Sequence, residues 1–248
     1  MIHIKTKEEI ELMRQSNRLV AKLLEHLRQM VAPGITTAQL DAAAEEFIRK
    51  HGATPTFKGY AGYPACICTS VNDQVVHGIP GPRVLKNGDI ISIDAGAKLN
   101  GFCGDSTITV GVGTISKQAH RLINITAKAL EIGISQAIPG NRIGDIGNAV
   151  QKYVEAQGCS VVRDFVGHGI GREMHEEPQV PHFGRAGTGP MLREGMVIAI
   201  EPMINAGGYA LRILKDGWTA VTMDGSLSAQ FEHTVAITAN GPDVLSQL

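Results

Sequence analysis

The sequence of 248 residues predicts an α+β fold made of two similar halves, at about residues 10–110 and 116–240. Three observations lead to this fold class. Segments with apolar residues at helical spacing precede short apolar runs typical of strands, the same order occurs twice along the chain, and an Asn-Gly dipeptide in the first half is typical of a tight hairpin turn. Two copies of one arrangement most simply pack about a pseudo-twofold axis, so residues 1–248 are expected to form a single domain.

The first half is expected to begin with two helices. A capping box that starts at Thr6 predicts a helix to about Met30, and a second box at Thr36 predicts a helix through about Lys50. Residues 53–70 are rich in Gly, Pro and Tyr, which indicates a loop with short strands. These elements lead into the hairpin that carries the first candidate site residues.

The dipeptide Asn100-Gly101 predicts the register of that hairpin. A two-residue turn at this position pairs Gly96 with Asp105, and Asp94, two residues before Gly96, points to the same face of the sheet. The two carboxylates are then diagonal neighbours, roughly 7–8 Å apart at the backbone. Two buried carboxylates at that distance repel each other unless a proton or a cation lies between them. The alternative for this pair alone is a solvated face of the hairpin.

The repeat adds two more acids to this pair. A shift of 107 residues places the strand that ends at Asp94 on the strand that ends at Glu201, and Asp105 has its counterpart in Glu232. A pseudo-twofold axis would therefore bring four carboxylates together where the halves meet. No Lys or Arg stands beside them in the sequence, so divalent metal ions are the expected partners, and two ions share four acids more naturally than one.

Three histidines belong with these acids. His168 offers a nitrogen ligand, His77 is its counterpart in the first half because both begin a His-Gly-Ile tripeptide, and His175 follows seven residues after His168. A core histidine held by a backbone carbonyl is the alternative for His77 and His175. The remaining histidines are expected to be structural or exposed: His3, His26, His51, His120, His182 and His233.

The ligand types indicate both the metal and the chemistry. Oxygen ligands with one nitrogen and no cysteine favour manganese, iron or cobalt, with zinc as a further candidate. Paired ions about 3.5–4 Å apart suit hydrolysis, because they generate hydroxide at neutral pH and polarise the attacked carbonyl group.

The composition excludes several other classes of protein. The net charge is −1, with 23 basic and 24 acidic residues, so no bulk field favours nucleic acid or an anionic membrane as a partner. The first thirteen residues do not resemble a signal peptide, and no apolar run of 18 residues predicts a membrane span. The four cysteines lack zinc-site spacing. A cytoplasmic monomer with reduced thiols is the expectation.

As a set, six motifs resemble one family closely. They are Ser92-Ile93-Asp94-Ala95-Gly96, Gly104-Asp105, Gly167-His168-Gly169-Ile170-Gly171, His175-Glu176-Glu177-Pro178, Glu201-Pro202-Met203 and Gln230-Phe231-Glu232-His233-Thr234. Their order is similar to that of the type I methionine aminopeptidases of the bacterial kind, over essentially the whole chain. The resemblance implies the pita-bread fold, in which two pseudo-symmetric α+β halves surround a dinuclear metal site.

The resemblance also implies a role for each ligand. Asp105 and Glu232 would bridge two metal ions, which could be cobalt, manganese, iron or zinc. Asp94 would chelate one ion, whereas His168 and Glu201 would bind the other. Glu201 is further implied to shuttle a proton in the reaction.

The implied activity is removal of the initiator methionine from new proteins whose second residue is small, through attack of metal-generated hydroxide on the scissile carbonyl. His77 and His175 would contact the substrate backbone during catalysis. The substrates would be the N-termini of nascent polypeptides, with the ribosome as a candidate partner. The implied pocket for the methionine side chain consists of Phe57, Tyr60, Tyr63, Cys68, Met174 and Trp218.

Two of these pocket residues differ from the family pattern. Phe57 and Met174 stand where a cysteine and a phenylalanine are commonest, so the shape of the pocket changes while its apolar character is kept. Two alternatives to the proposed activity remain. A proline-specific aminopeptidase would share the fold but usually carries an extra N-terminal domain, and a non-catalytic binding protein would not require a complete set of metal ligands.

Overall fold

The computed structural model describes residues 1–248, which form four helices and fifteen strands. The helices are α1 (Lys7–Met30), α2 (Thr37–Lys50), α3 (Lys117–Ser135) and α4 (Ile143–Ala156). The strands are β1 (Thr54–Pro55), β2 (Ile67–Val71), β3 (Gln74–Val76), β4 (Ile90–Leu99), β5 (Phe102–Gly111), β6 (Ser160–Val161), β7 (Gly167–Gly169), β8 (Glu176–Val180), β9 (Val197–Ile200), β10 (Met203–Asn205), β11 (Leu211–Ile213), β12 (Ala220–Thr222), β13 (Ser228–Gln230), β14 (Glu232–Thr238) and β15 (Gly241–Val244). None of the helices has the length and apolar character that crossing a membrane requires.

One nine-stranded sheet runs through both halves. Its central path is β1-β4-β5-β14-β9-β7-β8, while β2 pairs with β4 and β15 pairs with β14. Two three-stranded sheets, β13-β10-β6 and β11-β12-β3, flank it. Within the large sheet the two halves of the chain meet where β5 pairs with β14, and Thr107 lies opposite Glu232 there. The pairing of β3 with β12 joins the halves in a second sheet.

The two helices predicted for the first half are confirmed, including both capping boxes. The Thr6 hydroxyl accepts the N–H of Glu9, and the Glu9 carboxylate accepts the N–H of Thr6 in return. Thr36 and Gln39 repeat this arrangement at α2. The apolar faces of α1 and α2 cover β2 and β4 in a buried cluster that includes Leu24, Leu27, Leu40, Ile48, Ile67, Ile91 and Ile93. Burial of this face stabilises the helices more than their intrinsic propensity does.

The second half follows the same order of elements. Helix α4 has 14 residues, as α2 does, and an isolated bridge lies before each helix, at Thr36–Val84 and at Arg142–Met191. The strands differ, because β4 is continuous over ten residues whereas its counterpart divides into β9 and β10 on either side of Glu201 and Pro202. Proline has no N–H to donate to a neighbouring strand, so the ladder is interrupted there.

The hairpin register predicted from Asn100-Gly101 is confirmed. Leu99 pairs with Phe102 and Gly96 pairs with Asp105. Both turn residues have positive φ, 53° for Asn100 and 83° for Gly101, as a primed two-residue turn requires. The structure therefore places the two acids of the first half on adjacent strands, as the sequence predicted.

Candidate active site

Five strands that lie side by side in the large sheet each bring one of the predicted ligands to the same region. In sheet order these are Asp94 in β4, Asp105 in β5, Glu232 at the start of β14, Glu201 just after β9, and His168 in β7. Because the hairpin of β4 and β5 must pair with strands that lie far along the chain, the site exists only when the large sheet has formed.

The register explains why these side chains share one face. Asp94 lies opposite Thr107, and Thr107 lies opposite Glu232. Directly opposed residues in antiparallel strands point to the same face of the sheet. The pair His233–Ile200 then places Glu201 beside Glu232. The Thr107 hydroxyl donates a hydrogen bond of 2.8 Å to Glu232 Oε2 across the seam between the halves.

The ligand atoms of Asp105, His168 and Glu232 all lie within 4.8 Å of one another, and the three residues are buried. His168 Nε2 is 3.8 Å from Asp105 Oδ2 and 3.5 Å from Glu201 Oε1. Asp94 is outside this tight group but lines the same cavity. The structure thus brings all five predicted ligands to one place.

Burial dominates the electrostatics of the acids. It raises the pKa of Asp94 to about 7. The pKa values of Asp105, Glu201 and Glu232 are raised well above their usual range, first by burial and then by the negative charge of neighbouring carboxylates. Without a cation, these groups are therefore driven to hold protons.

His168 is set in the neutral form that binds metals. Its Nδ1 lies 2.9 Å from the carbonyl oxygen of Gly169. A carbonyl oxygen only accepts, so Nδ1 carries the proton and the lone pair of Nε2 faces the carboxylates. Burial, together with the nearby His175, lowers the pKa of His168 to about 3.

The side chains fit a divalent cation. Asp94 Oδ1, Asp105 Oδ1 and Glu232 Oε1 are buried and have no hydrogen-bond partner. No Lys or Arg lines the cavity around them. Unpartnered buried carboxylate oxygens are costly unless a cation or a proton binds them. The donor set is the oxygen-rich, nitrogen-containing one that the sequence predicted.

All residues predicted to contact substrate line one cavity of about 550 Å³, together with the ligands. They are Phe57, Tyr60, Tyr63, Cys68, His77, Met174, His175 and Trp218. Phe57, Tyr63, Cys68 and Met174 belong to one buried apolar cluster, against which Trp218 packs. The rings of Tyr63 and Trp218 meet edge to face with centroids 5.0 Å apart. The cavity therefore combines an apolar wall with the acidic floor.

The two other predicted histidines occupy different parts of this cavity. His77 follows β3 with a positive φ of 59°, and its ring lies edge-on to Phe165 with centroids 5.0 Å apart. Burial lowers the pKa of His77 to about 4. His175 contacts His168, with ring centroids 4.3 Å apart, and its Nδ1 lies 2.6 Å from Tyr60 Oη.

Sequence reasoning did not single out several residues that hold the ligands in place. The Gln230 amide donates to Glu201 Oε2 at 3.1 Å. His182, expected to be structural or exposed, is buried, and its Nε2 accepts the backbone N–H of Glu201 at 3.0 Å. The Asn17 side chain accepts the N–H of Asp105 at 3.2 Å. Gln230 lies two residues from a ligand in the sequence, whereas Asn17 and His182 carry no local signal.

Comparison with known proteins agrees with this geometry. The profile of metallopeptidase family M24 matches residues 11–239. A methionine aminopeptidase of Clostridium perfringens is 57% identical over 246 residues, which cover 99% of each chain. The crystal structure of methionine aminopeptidase from Rickettsia prowazekii superposes with a TM-score of 0.98 at 45% identity, and the match covers 100% of both chains.

A more distant likeness shows the breadth of the fold. The prolidase from Pyrococcus furiosus matches with a TM-score of 0.80 at 25% identity, over 99% of this chain and 65% of the prolidase. The much higher identity to methionine aminopeptidases favours their activity over that of proline-specific enzymes. The predicted pita-bread fold and metal-dependent hydrolase are confirmed. The chain belongs to metallopeptidase family M24 and, within it, to the methionine aminopeptidases.

Proposed function

We propose that the acidic end of the cavity holds two divalent metal ions and that the apolar end holds the methionine side chain of a new protein's N-terminus. Asp94, Asp105, His168, Glu201 and Glu232 would hold these ions, and the family resemblance implies that Asp105 and Glu232 would contribute to both. Cobalt, manganese, iron and zinc all suit such a set of oxygens and one nitrogen. Residues 1–248 would act as one catalytic domain, because neither half supplies all the ligands.

The observation that carries the proposal is that the residues with unpartnered carboxylate oxygens, Asp94, Asp105 and Glu232, line the same cavity as the unprotonated Nε2 of His168. When bound, the metal ions would lower the pKa of water and polarise the scissile carbonyl. Glu201 would take up a proton from the attacking water on its carboxylate and pass it to the leaving amino group, and the hydrogen bonds from Gln230 and to His182, which hold Glu201 in position, support this role. His77 and His175 would hold the substrate backbone.

The wall of the cavity supports a preference for a small second residue. His77 packs edge-on against Phe165 and faces Trp218 with centroids 6.2 Å apart, so this side of the cavity is already filled with rings. Overlap with a large side chain costs roughly 1–3 kcal/mol. That cost corresponds to roughly 5–150-fold in specificity, since each 1.4 kcal/mol is about tenfold.

The kcat/KM values for a peptide series test the proposal. Met-Ala-Ser and Met-Gly peptides should be cleaved far faster than Met-Leu or Met-Lys peptides, and norleucine should replace methionine because the pocket is apolar. Equal rates for alanine and lysine at the second position would indicate a broad aminopeptidase. Preferential cleavage of an X-Pro peptide would favour the proline-specific alternative.

The cellular setting follows from the same substrate. New N-termini emerge from ribosomes, so we place the enzyme in the cytoplasm, acting as a monomer on nascent polypeptides at or near the ribosome. Sedimentation of the enzyme alone and with ribosomes tests both points. A stable dimer, or no difference between ribosome-bound and released chains as substrates, would contradict this part of the proposal.

A further inference from the structure

Tyr60 and His175 form a contact at the mouth of the cavity that the roles proposed so far do not use. Tyr60 Oη lies 2.6 Å from His175 Nδ1, and the two rings meet at 70° with centroids 5.0 Å apart. Tyr60 is 44% exposed, so burial does not fix the position of its ring. The hydrogen bond and the edge-to-face contact of the rings therefore orient these two side chains toward each other.

The loop that carries Tyr60 holds the tyrosine backbone in place. Tyr60 begins a single 3₁₀ turn that ends at Gly62. The Gly59 N–H donates to the Tyr63 carbonyl, and the Tyr63 N–H donates to the Tyr60 carbonyl, both at 2.8 Å. Ala61 has a φ of 47°, a conformation that a residue with a side chain keeps only where its surroundings impose it. The hydroxyl is thus presented to His175 by a closed turn.

The direction of this hydrogen bond follows from the chemistry of the two groups. A phenol is a stronger acid than a neutral imidazole N–H, and an unprotonated imidazole nitrogen is a stronger acceptor than a phenolic oxygen. The favoured arrangement has the Tyr60 hydroxyl donating to His175 Nδ1. The ring proton of His175 then lies on Nε2, since the hydrogen bond at one nitrogen determines which tautomer is present.

The neighbouring histidine has the opposite arrangement. The Gly169 carbonyl fixes the proton of His168 on Nδ1 and leaves the Nε2 lone pair for the carboxylate site. The rings of His168 and His175 touch, with centroids 4.3 Å apart. Two adjacent histidines are therefore prepared for opposite tasks, one as a ligand and the other as a hydrogen-bond donor.

We propose that Tyr60 is a positioning residue that holds His175 in the tautomer protonated on Nε2. His175 then donates from Nε2 to the substrate carbonyl oxygen on which negative charge develops, and it acts neither as a base nor as a metal ligand. A fixed donor at this point stabilises the transition state more than the ground state. The inference rests on the proposed function and assigns Tyr60 a role beyond the wall of the methionine pocket.

The tautomer can be measured directly. Protein labelled with nitrogen-15 in its histidines and loaded with zinc, which is diamagnetic, is examined by long-range proton–nitrogen correlation NMR, with Tyr60→Phe and Tyr63→Phe alongside. His175 should be protonated on Nε2 in the wild type and should become a mixture of tautomers in Tyr60→Phe. The signals of His175 are identified by their loss in His175→Ala. Protonation on Nδ1 in the wild type, or an unchanged tautomer in Tyr60→Phe, would overturn the proposal.

Tyr63→Phe is the matched control for this spectrum. The Tyr63 hydroxyl is 3.1 Å from the carbonyl oxygens of Ile67 and Gly78, so its removal should leave the tautomer of His175 as in the wild type. The spectrum does not depend on turnover. A wild type that cleaves no methionyl peptide would count against the proposed function, while the tautomer measurement would still decide the inference about Tyr60.

Kinetics provide a second test that a purely structural role would not satisfy. With Met-Ala-Ser, Tyr60→Phe should lower kcat by about tenfold and leave KM within about twofold, because the lost interaction acts only in the transition state. In a His175→Ala background the same substitution should have no further effect, since Tyr60 acts through His175. Equal losses of kcat in both backgrounds, or a rise in KM alone, would show that Tyr60 serves only as pocket wall.

Discussion

The two His-Gly-Ile segments have the same local sequence and different surroundings. His168, in β7, lies 3.5–3.8 Å from carboxylates of Glu201 and Asp105. His77, after β3, lies against the ring of Phe165 instead. The tripeptide alone therefore does not determine the role of its histidine. The position of each segment relative to the strand ladder decides whether the ring faces acids or an aromatic wall.

The acid-bearing strands of the two halves differ in a similar way. Asp94 lies within a continuous strand, whereas Glu201 lies at the break between β9 and β10. Because Glu201 has left the ladder, its backbone N–H is free to donate to His182 rather than to a neighbouring strand. The interruption by Pro202 thus gives the second half a carboxylate whose backbone is held by a side chain.

The largest effect is expected for the two acids on opposite sides of the seam between β5 and β14, which are Asp105 and Glu232. Asp105→Asn and Glu232→Gln should each lower hydrolysis by roughly 10⁴-fold or more, because ligands that act as a unit fail together. Both variants should also bind less metal while remaining folded. Metal analysis and Met-Ala-Ser hydrolysis measure this. Asp243→Asn, which changes a surface carboxylate paired with Arg14, is the control and should remain active.

A clear outcome would contradict that prediction. If Asp105→Asn kept its activity with added manganese or cobalt, the dinuclear mechanism would be wrong. If only one of the two variants lost metal, the halves would contribute unequally to the site.

The next largest effects are expected for the three histidines of the cavity, which should differ in whether their loss also removes metal. His168→Ala should lose metal and activity together. His77→Ala and His175→Ala should keep their metal and lose roughly 10²–10⁴-fold in turnover, the usual value of one positioned donor or proton-transfer group. Metal content and kcat are measured on the same samples. Loss of metal from either of the last two variants would make that residue a ligand and refute the division of roles.

The acids should also make the stability of the metal-free protein depend on pH. The pKa of Asp94 is raised to about 7 in the folded state, against about 3.9 when unfolded. Its contribution to stability is therefore complete below about pH 4 and is lost as the pH rises to about 7. The buried histidines act in the opposite direction. Their pKa values are lowered, so their contribution is lost as the pH falls below about 6.5.

A comparison with Asp94→Asn isolates the acid from the histidines. With chelator present, the free energy of unfolding of the wild type relative to Asp94→Asn should decline between pH 4 and pH 7, because the folded state favours the protonated form of Asp94. Urea unfolding at several pH values measures this difference. Adding manganese should remove the decline, and a difference that rises with pH would contradict the assignment.

The smallest effects are expected for stability, at one glycine in each half where a helix packs closely against its neighbours. In the first half, a Cβ on Gly104 would lie 2.6 Å from backbone atoms of Ser16 and Asn17. In the second half, Gly133 of α3 faces both α4 and the sheet, and its added Cβ would meet only side-chain atoms, at 3.1 Å from Val150 of α4 and 3.2 Å from Ile200 of β9. Backbone cannot move aside as a side chain can.

Gly104→Ala should therefore destabilise the protein by roughly 1–3 kcal/mol or more, through overpacking. Gly133→Ala should be close to neutral. The added methyl group would press only on side chains, which can move, and alanine has a helix propensity about 1 kcal/mol better than that of glycine. Thermal and urea unfolding of both variants check this. Equal losses would show that the two helices are seated in the same way.

Local chemistry explains why much of the fold could be predicted from the sequence. The capping boxes at Thr6 and Thr36 and the turn at Asn100-Gly101 act within a few residues, and each was found where it was predicted. The acids could be placed because a hairpin register fixes the face of every side chain in it.

The parts that could not be predicted depend on contacts between distant segments. Nothing near Asn17 or His182 in the sequence indicates that they hold Asp105 and Glu201, since those contacts require α1 and the loop after β8 to be in their final positions. The bond between Tyr60 and His175 joins residues 115 positions apart. The family resemblance placed both in the cavity but did not reveal their contact.

The seam between β5 and β14 has a consequence for how the chain stays folded. Thr107 and Glu232, paired across it, are 125 positions apart, and a cation shared by Asp105 and Glu232 would close a loop of about that length. Because these ligands come together only in the folded chain, the stabilisation by a bound ion grows with the free metal concentration, to about 2.7 kcal/mol at a hundred times the dissociation constant. All four cysteines are free, so a bound cation would supply the link between these distant segments that no disulfide provides, and chelation would lower the stability of the folded protein.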